Sequence, residues 1–237
     1  MTVAELDRRV HVVDLAATTL RDLNAALHAE SKMPTIERWR IVNPRGAHAV
    51  ACGIDADLSV EIDGHAGYYC ASMNKRATVT VHGNVGTGVA ENMMSGSVFV
   101  DGDASQSAGA TGCGGLLSIR GNASARCGIS MKGIDIVVRG SVGHMSAFMA
   151  QSGNLVVLGD AGDALGDSIY EAHLFVRGTV KSLGADCIEK NMEDEHRALV
   201  SQLLDKAQVK GVDPRGFRRY GSARKLYNFH IDNVGAY

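Results

Sequence analysis

VTVHGNVG at residues 79–86 recurs in altered form as VFVDGDAS at 98–105 and LSIRGNAS at 117–124. The same frame reads VEIDGHAG at 60–67 before them, and IVVRGSVG at 136–143, LVVLGDAG at 155–162 and LFVRGTVK at 174–181 after them. The central glycines are Gly64, Gly83, Gly102, Gly121, Gly140, Gly159 and Gly178, each 19 residues from the next. Six equal steps with matched flanks are an internal repeat, and repeats of this length signal a solenoid. Two residues before each glycine the side chain is always β-branched, and four before it is always Val, Leu or Ile. Two after it stands Ala or Val. That period of two is a strand with one face turned inward. The glycine marks a bend or a positive φ, and the polar residue that always follows it suits a turn.

A second register lies seven residues past each glycine, where Ala71, Ala90, Gly109, Gly128, Ala147, Gly166 and Ala185 leave room for nothing larger. The interior must be narrow there. Each repeat is one coil: a strong strand, a corner, then a weaker extended stretch. Coils stacked about 4.8 Å apart give a prism roughly 33 Å long, and the crossover rule predicts a right-handed path. The chain is therefore expected to be all-β, a right-handed parallel β-helix of about seven 19-residue coils with short helical caps at both ends. The leucine-rich frame, the GGxGxD calcium repeat and the six-residue period are all absent.

A solenoid exposes its end coils and needs covers. The expected division is an N-terminal cap over residues 1–45, the β-helix over 46–188, and a C-terminal helix with a basic, aromatic tail over 189–237. The first cap reads as a strand at Val10–Leu15, a helix from Thr19 to Ala29 with Thr18 or Thr19 as N-cap, and an irregular piece at Ile36–Val42 around Trp39. The second helix is expected over Met192–Gln208, capped by Asn191, with Glu193, Asp194 and Glu195 at its positive end. The tail carries Arg215, Arg218, Arg219, Arg224 and Lys225 together with Tyr220, Tyr227 and Phe229. Arginine and aromatic side chains are enriched at interfaces, so the tail is expected to be an arm that docks on a partner.

A formal charge of −2 argues against nucleic-acid and membrane-surface binding. No apolar run approaches a membrane span, and the first residues lack a signal peptide's apolar core, so a cytoplasmic location is expected. The five cysteines are odd in number and include no CxxC pair. Reduced, mostly buried thiols are expected rather than a metal or cluster site on this chain. Cys70 and Cys127 share a register but lie three coils apart, too far to bridge.

No GxSxG, HExxH or Walker loop occurs. The histidines share no register, and each GNVGTG-like string is one unit of the repeat. No catalytic, cofactor-binding or metal-ligating residue is assigned. The outward strand positions say more. One residue before the glycine the series runs Asp63, His82, Asp101, Arg120, Arg139, Leu158, Arg177, changing sign along the prism. Three before it stand Phe99, Val137, Val156 and Phe175, interrupted by Ser118. An exposed apolar stripe of this kind needs a cover: a terminal helix or a partner. A partner docking face is the expectation carried forward.

These repeats resemble the GxGxG β-helix domain found at the C-terminus of the large glutamate synthase subunit and in a subunit of formylmethanofuran dehydrogenase. With the front end TTLRDLNAALH and the tail FRRYGSARKLYNF, the chain most resembles the stand-alone B subunits of N-methylglutamate synthases, also called methylamine–glutamate N-methyltransferases. Ser105, Ser124 and Lys181 depart from the motif's second glycine. The resemblance implies a non-catalytic scaffold in a hetero-oligomer. Its implied partners are a glutamine-amidotransferase-like subunit and a glutamate-synthase-like subunit that carries FMN and iron–sulfur clusters. Subunits of a split glutamate synthase or of formylmethanofuran dehydrogenase are alternatives. A carbohydrate-binding or carbohydrate-active β-helix is a further one, disfavoured by aromatic-poor coils and the missing carboxylate cluster.

Overall fold

A computed structural model describes residues 10–32 and 35–225. The strands in chain order are β1 (Val10–Asp14), β2 (Arg38–Val42), β3 (Ser59–Asp63), β4 (Thr78–Val81), β5 (Ser97–Val100), β6 (Leu116–Ile119), β7 (Lys132–Val138), β8 (Ser152–Val157), β9 (His173–Val176), β10 (Cys187–Lys190) and β11 (Arg218–Ser222). Helix α1 (Leu20–Ala29) follows β1, and helix α2 (Asp194–Lys206) follows β10. The strands form one sheet in the order β1-β2-β3-β4-β5-β6-β7-β8-β9-β11-β10, parallel from β1 through β9. The β-branched register stacks Ile41, Ile62, Val81, Val100, Ile119, Val138, Val157 and Val176 in a fully buried column. Ala66, Val85, Ala104, Ala123, Val142, Ala161 and Val180 form a second parallel ladder beyond the corner. This is the expected parallel β-helix.

The repeating glycines owe their place to close stacking. Only Gly64 among the seven has a positive φ. A Cβ on Gly83, Gly121, Gly140 or Gly159 would sit 2.7–2.8 Å from backbone of the glycine one coil earlier. The polar residue after the glycine does more than turn the chain. His65 Nδ1 accepts from the Asn84 N–H, Asn84 Oδ1 from Asp103, Asp103 Oδ1 from Asn122, Asn122 Oδ1 from Ser141, Ser141 Oγ from Asp160, and Asp160 Oδ1 from Thr179, at 2.7–2.9 Å. Each coil thus caps a backbone donor of the next. On the third side, residues five, seven and nine past the glycine are left-handed in one coil after another, as at Tyr69, Ala71 and Met73. Each such residue with a Cβ costs about 1–2 kcal/mol. Bonds between coils offset this, as from Ala90 N–H to the Cys70 carbonyl at 2.9 Å.

Two strands precede the repeats. β2 is regular, pairing Trp39 with Val60 and Ile41 with Ile62, where an irregular segment was expected. Its offset is 21 residues rather than 19, and left-handed Asn43 and Arg45 absorb the excess. Thr19 is the N-cap of α1, accepting from the Asp22 N–H at 3.2 Å. Leu23 and Leu27 are buried, and Asn24 Nδ2 donates to the Ala49 carbonyl at 2.8 Å, so α1 closes the first coil's mouth. At the other end β11 pairs antiparallel with both β9 and β10, which ends the parallel stack. Glu193, not Asn191, is the N-cap of α2, its N–H donating to His196 Nδ1 at 3.2 Å.

Candidate functional site

The outer face of the sheet divides into a covered half and an open half. Helix α2 begins over β9, where His196 lies 5.8 Å from His173 between ring centroids, and ends over β6, where the Ala207 carbonyl accepts from Ser118 Oγ at 3.4 Å. Its apolar side, Val200, Leu203 and Leu204, packs on Val137, Val156 and Phe175. Those three stripe residues are 0% exposed. The stripe expected to dock a partner is therefore covered by the chain's own helix. Periodicity shows that a stripe faces outward but not what lies on it. Phe99, one coil beyond the end of α2, is partly buried against the edge of that seam.

As far as Lys225 the expected arm is not extended but folded onto the solenoid, with Arg215, Arg218, Arg224 and Lys225 still exposed on its surface. Arg218, Arg219 and Tyr220 are part of β11. Arg218 Nη2 donates to the Gly178 carbonyl at 2.9 Å, and Arg219 Nε to the Asn191 carbonyl at 2.8 Å. Tyr220 is buried beneath the Arg218 guanidinium, 5.9 Å from its ring centroid. Arg224 pairs with Glu171 at 2.7 Å, Arg215 with Asp213 at 2.8 Å, and the Lys225 N–H donates to Asp186 at 2.9 Å. The Arg215 hydrogen bonds hold the Asp213 carboxyl below its usual range. Through Lys225 the basic segment is the solenoid's C-terminal cover. Tyr227 and Phe229 lie outside the described residues.

The open half runs from β1 to β5. Val12 is 57% exposed there, beside Arg40, Glu61 and Thr80. A groove of about 250 Å³ lies where α2 stops, lined by Thr80, His82, Phe99, Ser118, Arg120 and Gln208. Asp101 sits on its rim, held by His82 at 2.8 Å and by Arg120 at 2.9 Å. Arg120 thus pairs with Asp101 of the preceding coil. Asp63 is held by Arg40 at 2.7 Å. Burial pushes the thiols of Cys70 and Cys127 up to about 12, as stacked core groups rather than nucleophiles. Among the described residues no group of three or more His, Cys, Asp or Glu is placed to hold a metal ion. No helix among them is long and apolar enough to cross a membrane.

Comparison with known proteins adds two likenesses. Protein GlxC of Rhizobium meliloti (strain 1021) is 68% identical over 226 residues, which is 95% of this chain and 99% of that protein. A chain in the crystal structure of the formyltransferase/hydrolase complex (FhcABCD) from Methylorubrum extorquens, solved with methylofuran, superposes with a TM-score of 0.52. It shares 21% identity over 84% of this chain and 85% of its own, a likeness of fold. No family model matches the chain.

Proposed function

This chain belongs to the GlxC family, and from that premise we propose that it is the scaffold subunit of a multi-subunit, glutamate-synthase-like enzyme that makes N-methylglutamate from methylamine and glutamate. The observation that carries the reading is the solid prism itself. Its interior is filled coil by coil, its strands are locked by ladders along two sides, and one long face is left partly open. Such a body holds other bodies at fixed positions. The same fold occurs in a chain of a formyltransferase/hydrolase complex, and the repeats and end segments resemble the B subunits of N-methylglutamate synthases. In this reading the amide chemistry belongs to an amidotransferase-like partner. The FMN and iron–sulfur chemistry belongs to a glutamate-synthase-like partner, and this chain contributes no reacting group.

The test is a tagged purification from native extract, reading co-purifying chains and the visible spectrum together. Two partner chains with flavin and iron–sulfur absorption, and methylamine-dependent loss of glutamate, are expected. Partners of a formyl-transferring complex would move the assignment to that class. A colourless chain recovered alone would overturn the scaffold reading in favour of an independent binding β-helix.

A further inference from the structure

The sheet ends on β10. Among the described residues β10 pairs with β11 alone, and β11 sits between β9 and β10, so the far side of β10 has no neighbour. The Ala223 N–H donates to the Asp186 carbonyl at 2.7 Å. Bonded pairs alternate along an antiparallel ladder, so Ile188 and Lys190 turn their backbone groups to Gly221 and Arg219, and the N–H and C=O of Glu189 point away from β11. Ile188 is 43% exposed beside them. An open edge of this kind is a template for a further strand. The chain returns to this edge. Ser222 Oγ donates to Asp186 Oδ2, and the Lys225 N–H donates to Asp186 Oδ1 at 2.9 Å, with Arg224 between them in the left-handed region. The backbone therefore leaves from Lys225 beside the residue that precedes β10. The sequence that follows is LYNFHID, residues 226–232. Tyr227, Phe229 and Ile231 alternate there with Asn228, His230 and Asp232, the period of two that marks a half-buried strand.

We propose that residues 227–231 of this same chain add to the open edge of β10 as a further strand, parallel to it, and close the C-terminal end of the solenoid. Reach selects the edge. From Lys225 the six residues to Ile231 span at most about 20 Å. β10 begins beside Lys225, whereas β1, the other free edge among the described strands, lies ten strand spacings away, about 48 Å. Direction follows from the point of departure, because a segment that leaves at the start of β10 and follows its edge runs the same way as β10. Tyr227, Phe229 and Ile231 then lie on the side of the sheet that carries Ile188, and Asn228 and His230 on the side that carries Glu189. Tyr227 and Phe229 become contacts within the chain rather than with a partner. The pairing needs no second molecule, so it does not depend on protein concentration, which sets it apart from a strand supplied by another chain.

Amide hydrogen exchange on the full chain tests this directly. The Glu189 amide should exchange about tenfold or more slowly than in a chain ended at Lys225, at every protein concentration. The Ala90 amide, bonded to the Cys70 carbonyl, should stay protected in both and reports that the coils are folded. Alternate residues of a strand turn their N–H to a given neighbour, so one of Asn228→Pro and Phe229→Pro must delete a ladder donor. That variant should speed Glu189 exchange about as much as the truncation does. Chymotrypsin should cut after Tyr227 and Phe229 about tenfold or more slowly than in a free peptide of residues 222–237. Equal Glu189 exchange with and without the segment overturns the proposal, as does cleavage at the free-peptide rate. Protection that rises with protein concentration overturns it in favour of a strand exchanged between copies. Protection that appears only when a different subunit is added overturns it in favour of a partner dock. None of these outcomes alters which chains the native purification recovers, so this inference and the scaffold reading fail separately.

Discussion

From β3 onward the covered and open halves of the outer face are built on the same repeat, with the same inward columns and the same glycines, and differ in what points away from the core. Over β7–β9 the outward centre row is Val137, Val156 and Phe175, and a helix lies on it. Over β2–β4 the same row is Arg40, Glu61 and Thr80, and the face lies open. Ser118 marks the crossing, buried yet satisfied by the last carbonyl region of the helix. The lesson is that a solenoid's inward residues specify the coil, and its outward residues choose the company each coil keeps.

The comparison can be broken most severely at Val156. Val156→Asp places a carboxylate in the seam under α2 with no partner, whereas Thr80→Asp, in the same row on the open half, meets water. The first should cost about 4 kcal/mol or more and the second within about 0.5 kcal/mol, read by urea unfolding. Equal effects would mean that α2 does not seal the face. Phe175→Ala should cost about 3–5 kcal/mol through the cavity it leaves, against about 1–2 kcal/mol for partly buried Phe99→Ala. The corner ladder sharpens the contrast because it should not distinguish the halves. Asn84→Ala and Asn122→Ala each remove one acceptor and should each cost about 0.5–1.5 kcal/mol.

The smallest expected effect is one of pH, and it belongs to the covered half alone. Burial first, then the Arg219 charge and then His196, holds the His173 imidazole below its ordinary value, while Glu171 and Glu195 pull the other way. A histidine depressed in the folded state leaves the unfolded chain binding more protons. Its stabilising contribution is therefore complete above about pH 6.5 and is lost as pH falls from there through the folded value. The Tm should drop further between about pH 7.5 and 5.5 in the native chain than in His173→Asn. Identical drops would remove His173 from the seam's energetics.

Much of this was legible in the sequence because the repeat is strict where the core is strict. The seven strands and their register follow from residue types at fixed spacing, as does a helix cap at Thr18 or Thr19, of which the structure selects Thr19. β2 escaped because two extra residues at Asn43–Arg45 displace it from the 19-residue frame. The side-chain ladder from His65 to Asp160 was visible only as a polar position, although a hydrogen-bond acceptor recurring once per coil was the available signal. The left-handed stretch was hidden by its variety, since Tyr69, Ser107, Arg126 and Met145 share a backbone conformation and little chemistry. The occupant of the apolar stripe was legible only as one of two alternatives, a terminal helix or a partner, and the structure selects the helix. A period of two says which way Phe175 points, while the identity of its neighbour depends on a helix that begins almost twenty residues later in the chain.

The glycine ladder has a geometric consequence. Each repeating glycine from Gly102 onward donates its N–H to the carbonyl of the glycine one coil below, at 2.9–3.1 Å. This, with the clash any Cβ would meet, makes the coil spacing inelastic. The molecule is a ruler graduated in whole coils. Objects fastened to different rungs are held apart by multiples of about 4.8 Å. Their separation changes only by inserting or deleting 19 residues at a time, which would also rotate one attachment against the other by the twist of a coil.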